Sequence, residues 1–207
     1  MRTDFQEIIK SPVSAYQEGL RFFKGEGTLN ETLRRVTRDL DNLHIDYILI
    51  GAIALNSYGY RRFTEDINLV LTREGLEIFR NQLIGKGYRP AFEGAKKKFR
   101  TTAENVTIEV ITTEEFPGDG KPKPVKFPEP KTDSVKIDGI KTVSLEKLIE
   151  LKLASGMTAP HRLKDLADVQ ELIKITRLNA DFSEKLNPFV REKFLELQKA
   201  VALAEEE

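Results

Sequence analysis

The residues with the clearest chemical potential lie in one short run. It reads Ile50-Gly51-Ala52-x-Ala54, then Tyr58-Gly59-x-x-Arg62-x-Thr64-x-Asp66-Ile67-Asn68. An apolar stretch that runs into Gly51 and then a helix exposes backbone N–H groups at the helix start. That is a favourable place for a phosphate, and glycine lets an anion approach the backbone closely. Asp66 and Asn68 are two apart in an extended run, so both project to one face, while Ile67 and Leu69 turn to the core. A pair of oxygen donors on one face suits a hard cation such as Mg²⁺ or Mn²⁺, which shares its shell with substrate phosphates. Further along, Glu109 alternates with Ile108 and Val110 and adds a carboxylate from a second strand. Acidic groups gathered this way are what metal-assisted phosphoryl transfer requires.

The elements that must position these groups follow from the pattern. Asp46–Ile50 reads as a buried strand, 52–59 as a short helix closed by Gly59, and Asp66–Leu71 as a second strand. Thr72–Ile84 is a helix with Leu76, Phe79 and Leu83 inward, stopped by Gly85 and Gly87. Residues 88–92, 97–101 and 106–112 read as further strands. Ahead of this core, residues 1–27 form an N-terminal arm with one or two short helices. Thr28–Glu31 reads as a capping box, followed by a helix with Leu29, Leu33, Val36, Leu40 and Leu43 along one stripe. Residues 117–130 hold five prolines and two glycines and must be a loop, either a rigid connector or a lid or partner surface. A hairpin is expected around Asp138-Gly139.

The remainder is helical, over 144–155, 162–175 and from Ser183 onward. The order predicts an α+β (α/β-like) chain: an arm at 1–27, a core at 28–143 and a helical C-terminal part at 144–207. On the helix 144–155, Leu145, Leu148, Ile149 and Lys152 share a face. An ammonium within an apolar stripe must reach an anion, snorkel out or face a cleft. On the helix 162–175, Leu163, Leu166, Val169 and Ile173 are expected inward. Asp165 then lies beside the stripe, and Asp168 further round in solvent. Lys152 and Asp165 are thus either cleft residues or a buried ion pair.

This combination resembles the nucleotidyltransferase superfamily, in particular the branch that holds toxin subunits of AbiEii type and minimal nucleotidyltransferases. The family shows a Gly-Ser or Gly-Gly/Ala turn, a helix, Asp-x-Asp on the next strand and a later acidic residue. Here these are Gly51-Ala52, Asp66/Asn68 and Glu109. Leu145–Ile173 is similar to the same branch's Leu-Glu-x-Leu…Lys…Arg…Asp-Leu-x-Asp segment, so the resemblance spans roughly residues 45–175. It implies a mixed β-sheet core flanked by helices. It also implies Mg²⁺ or Mn²⁺ held by Asp66, Asn68 and Glu109, and a nucleotide bound by Gly51, Ala52, Arg62, Thr64 and Lys152. Asp165 takes the C-terminal acidic position beside Lys152. The implied reaction moves a nucleoside monophosphate from a nucleoside triphosphate to a hydroxyl of tRNA or protein, with an antitoxin-like partner. Three departures bear on it. Asn68 keeps an oxygen ligand but not the charge, Glu109 is longer than aspartate, and Ala52 lacks a serine hydroxyl. A catalytically inactive nucleotide- or partner-binding protein on the same fold is the alternative.

Composition bounds the rest. The chain has 207 residues, 40% hydrophobic and 32% charged, which reads as globular. Lys+Arg and Asp+Glu are both 33, so any nucleic-acid contact must rest on a local patch. Lys96-Lys97-Lys98-Phe99-Arg100 is such a patch: a solvated strand edge, or a contact to an RNA backbone. There are no cysteines and two histidines, His44 and His161, which leaves no thiolate chemistry and no histidine-rich metal site. No apolar run is long enough to span a bilayer and no signal-peptide core is visible, so the expected location is cytoplasmic, without a membrane partner. Arg62 reads as a phosphate ligand or a local ion pair, Tyr58 as a core residue, and His161 as a capping or solvent-facing one.

Overall fold

The computed structural model describes residues 4–205. Two helices, α1 (Phe5–Lys10) and α2 (Pro12–Phe23), lead into α3 (Gly27–Asn42). Then come β1 (Tyr47–Ile50), α4 (Gly51–Ser57), β2 (Asp66–Leu71), α5 (Arg73–Leu83), β3 (Tyr88–Pro90), β4 (Lys98–Thr101) and β5 (Thr107–Thr112). After the proline-rich loop follow α6 (Pro130–Asp133), β6 (Ser134–Ile137), β7 (Ile140–Val143), α7 (Leu145–Thr158), α8 (Leu163–Thr176) and α9 (Pro188–Glu205). The strands form one mixed sheet in the order β3-β4-β5-β2-β1-β7-β6. β2 runs antiparallel to β1 and parallel to β5, in a register that sets Asn68 opposite Glu109.

The sheet is covered on both faces. Ile67, Leu69, Ile108 and Val110 pack with Leu29, Leu33, Val36, Leu40 and Phe79 from α3 and α5, and with Phe5 of the N-terminal arm. Ile48, Ile50 and Val70 point the other way, into a second core with Leu148, Ile149, Val169, Leu172 and Phe194 of α7, α8 and α9. Asp66 and Asn68 lie on this second face, beyond Val70, where the helices leave the sheet end uncovered. The expected alternation holds, and the α+β architecture with a helical C-terminal part is the one observed.

Local details depart from the sequence reading. α3 begins at Gly27, with Glu26 as its cap residue and no side-chain cap bond, so Thr28–Glu31 is not a capping box. The role passes to Glu18 of α2, whose buried carboxylate accepts from Thr28 N. α7 runs past residue 155 to Thr158, capped by Ser144, which accepts from Lys147 N at 3.2 Å. β4 lies between β3 and β5, so Lys96–Arg100 is not a sheet edge; Phe99 is fully buried there. The hairpin turns at Asp138-Gly139, both at positive φ (50° and 82°), the conformation of a tight two-residue turn.

Candidate active site

β1 delivers the chain into the site at Gly51, and the backbone there is left-handed, with φ 73°. A Cβ at this position would stand 3.1 Å from Asn68 Nδ2 and 3.2 Å from Asn68 Cβ. Glycine is therefore required both by conformation and by the approach of Asn68. α4 starts immediately, without a side-chain cap, beside β2.

The segment between α4 and β2 is stitched at almost every residue. Tyr58 donates its hydroxyl to Val143 O at 2.7 Å. Asn56 clamps the backbone of Arg62 twice: its Oδ1 accepts from Arg62 N at 3.2 Å and its Nδ2 donates to Arg62 O at 2.7 Å. Phe63 packs edge-on against Phe22 of α2, ring centroids 5.6 Å apart. Thr64 donates its hydroxyl to Asp66 Oδ1 at 2.6 Å, which orients the carboxylate.

Of these, Arg62, Thr64 and Asp66 line a cleft of about 470 Å³, within the range of small-molecule sites. Asp66, Asn68 and Glu109 come from the sheet, and Lys152, Arg162 and Asp165 from the helices. Glu115, Phe116, Pro117 and Phe127 close one side. The proline-rich loop is packed onto the body of the protein. Val125 is buried in the second core, and Lys123 donates to Pro117 O at 2.7 Å. Gly118 lies so close to α7 that a Cβ would meet Ser155 O at 2.9 Å.

The helical wall is a buried ion network. Lys152, 8% exposed, donates to Asp165 Oδ1 at 3.0 Å and to Asp168 Oδ2 at 2.7 Å. Asp165 Oδ2 also accepts from Ser155 Oγ at 2.7 Å and from Arg162 Nε at 2.8 Å. Asp168 accepts from Arg62 as well, so the pair made by Arg62 is long-range and not local. Burial pushes the Asp165 carboxyl up, but Lys152, Ser155 and Arg162 outweigh it and hold the group below its ordinary value. Three cations meet two carboxylates here, which leaves one positive charge facing the cleft.

The structure thus brings together Gly51, Ala52, Arg62, Thr64, Asp66, Asn68, Glu109, Lys152 and Asp165. It corrects the reading of α8. Asp168 is 1% exposed, not solvated, and Leu163 is 67% exposed, with Leu166 only partly covered. The inward face is Asp165, Asp168, Val169 and Leu172, at i, i+3, i+4 and i+7. Counting the two aspartates with the apolar set would have found it. Asn56 carries no such mark, because its role rests on a backbone clamp. His161 sits in the turn Pro160–Arg162 at the cleft rim.

Among the described residues no group of three or more His, Cys, Asp or Glu is placed to hold a metal ion. The donor set at the sheet wall is two carboxylates and one amide oxygen. Those are hard ligands of the kind Mg²⁺ takes, and among the described residues neither carboxylate is held by a cation. By donor type, the set suits a single hard ion.

No protein-family model matches the chain, and no curated protein matches it in sequence. Solved structures do. ANT(2'')-Ia, in complex with adenylyl-2''-tobramycin, superposes with a TM-score of 0.51 at 17% identity, over 86% of this chain and 99% of that one. The solution structure of the same antibiotic-resistance factor gives 0.50 at 15% identity, over 84% and 92% of the two chains. The chain has the nucleotidyltransferase fold. At these identities the likeness is one of fold, and it spans nearly the whole of the matched chains.

Proposed function

We propose that this chain transfers a nucleoside monophosphate from a nucleoside triphosphate to an acceptor hydroxyl. The observation that carries the reading is the cleft's division into two walls: oxygen donors Asp66, Asn68 and Glu109 on the sheet, and Lys152 and Arg162 on the facing helical side, which Arg62 joins through Asp168. That division suits a ligand that is both metal-bridged and polyanionic. The nucleotidyltransferase fold supports it.

In this reading Asp66, Asn68 and Glu109 hold Mg²⁺ or Mn²⁺, which would supply Lewis-acid stabilisation of the phosphoryl oxygens when bound. The acceptor O–H approaches the α-phosphorus, and its proton passes to Asp66 or Glu109. A new O–P bond forms as the bond from the α-phosphorus to the bridging oxygen of the β-phosphate breaks, and pyrophosphate leaves. The excess positive charge of the Arg62, Lys152 and Arg162 network neutralises the charge that develops on the phosphates. Gly51 and Ala52 offer backbone N–H groups, and Thr64 keeps Asp66 in position. The acceptor proposed is a hydroxyl of RNA, tRNA included, or of protein, and the antitoxin-like partner belongs with this toxin-like version.

The test is transfer of label from α-labelled nucleoside triphosphates to mixed RNA and protein, with Mg²⁺ or Mn²⁺. Wild type is expected to label an acceptor and Asp66→Ala to reduce it at least about 10³-fold. Absence of transfer with all four nucleotides rejects the reading. A second reading has its own observation: Asn68 stands where the family carries aspartate. A catalytically inactive binding protein would bind nucleotide in calorimetry without metal and without turnover.

A further inference from the structure

A second cavity lies behind the cleft, on the other side of α4. It measures about 620 Å³, larger than the cleft, and its floor is apolar: Phe22, Leu33, Leu49, Ile53 and Ile140. Phe23, 36% exposed, extends that floor to the surface. Two guanidinium groups stand on the rim. Among the described residues, the Arg34 guanidinium hydrogen-bonds the carbonyl of Gly25 at 3.0 Å and makes no ion pair, and Arg61 makes none either. Asp138, at the hairpin turn, is the carboxylate on the lining. An apolar floor under two cations free of carboxylate partners matches one chemical class: a small molecule with a hydrocarbon or aromatic body and an anionic head.

The cavity is tied to the cleft by two connections. α4 is the partition, with Gly51 and Ala52 lining the cleft while Ile53, Asn56 and Ser57 line the cavity. Arg61 and Arg62 are adjacent and serve opposite sides. Arg61 lines the cavity, while Arg62 reaches Asp168 and the cleft from a backbone held by Asn56. A ligand held by Arg61 therefore bears on the segment that sets Arg62. We propose that this cavity is a second ligand site, for a small amphipathic anion, coupled to the cleft through Asn56 and the Arg61-Arg62 pair. The binding claim is independent of the catalytic reading; the coupling claim rests on nucleotide occupying the cleft.

The experiment uses decanoate as ligand and 8-anilino-1-naphthalenesulfonate as fluorescent probe on the full chain. The probe is expected to bind at one saturable site per chain and to be displaced by decanoate, with decanol weaker by about tenfold or more. The variant Arg34→Ala/Arg61→Ala should lose about tenfold in decanoate affinity, while melting like wild type. Ile53→Trp, which fills the floor, is a second check that does not depend on charge. Equal competition by decanol, undiminished binding in both variants, or complete displacement of the probe by a nucleoside triphosphate with purely competitive kinetics would overturn the site. For the coupling, saturating decanoate should shift the Kd of a non-hydrolysable nucleoside triphosphate by about threefold or more, and Asn56→Ala should remove the shift. An unchanged Kd rejects the coupling. A protein that binds no nucleotide at all loses both the coupling and the reading of the cleft, while the anion site stands on its own results.

Discussion

At the scale of single residues, the proposed cation site turns on Asn68. Its amide offers one neutral oxygen between two carboxylates, directly opposite Glu109 in the sheet register. Asn68→Asp adds a charge without adding length, so Mn²⁺ affinity measured by calorimetry should rise about tenfold or more. An unchanged affinity would mean that the side chain at 68 is not a ligand. Lys152 poses the opposite case, a cation already satisfied by Asp165 and Asp168. Removing it leaves two buried carboxylates short of a partner, and Lys152→Ala should cost about 3–5 kcal/mol in urea unfolding. The sequence marked Lys152 because an ammonium interrupted an apolar stripe. Asp168 lay on the same helix face as Asp165, but one of the two partners that make its burial tolerable, Arg62, lies 106 residues away, so its pairing was not legible.

At the scale of elements, the parts most legible in sequence were those whose stabilisation is local. β2 alternates over Asp66–Leu69, and α5 carries its own cap, Thr72, whose hydroxyl accepts from Gly75 N at 2.9 Å. Where a distant element supplies the stabilisation, the local pattern misleads. α3 takes its first-turn acceptor from Glu18 of α2, so Thr28 and Glu31 resemble a motif they do not form. β4 looks like an edge by charge, yet Lys97 pairs with Glu115 and Phe99 fills the first core. The proline-rich loop was open between lid and connector on composition alone. The contact of Gly118 with α7 makes it a fixed wall. Gly118 also has φ 77°, so Gly118→Ala adds backbone strain to a clash with α7. A loss of about 1–3 kcal/mol is expected, together with a poorer nucleotide Kd, because Pro117 and Phe116 line the cleft. A variant that melts like wild type would show that the loop is loosely held.

At the scale of the whole molecule, the helical part is joined to the sheet by charge as well as by apolar packing, and this gives stability a pH signature. Asp165 has a folded value below its ordinary 3.8. The stability it carries is therefore present above that pH and disappears as pH falls through the lower, folded value. Tyr58, half-buried against the second core, is pushed up to about 12 by desolvation. Its contribution is intact below the ordinary phenol value and is lost as pH rises toward the folded one. Thermal melts should fall at both ends. In Asp165→Asn the acid limb should flatten, since that group no longer titrates; an unchanged acid limb would place the sensitivity elsewhere.

The split of the cleft between sheet and helices sets the order in which the protein can become competent as it leaves the ribosome. β1, near the middle of the sheet, can pair with β2 early, and the arm with α3 and α5 can close the first core over them. The opposite face, with Ile48, Ile50 and Val70, stays bare until residues 144–205 emerge to cover it. Lys152 and Asp165 arrive with those same helices. A growing chain is thus sticky on one side, and the step that hides its adhesive surface is also the step that closes the cleft.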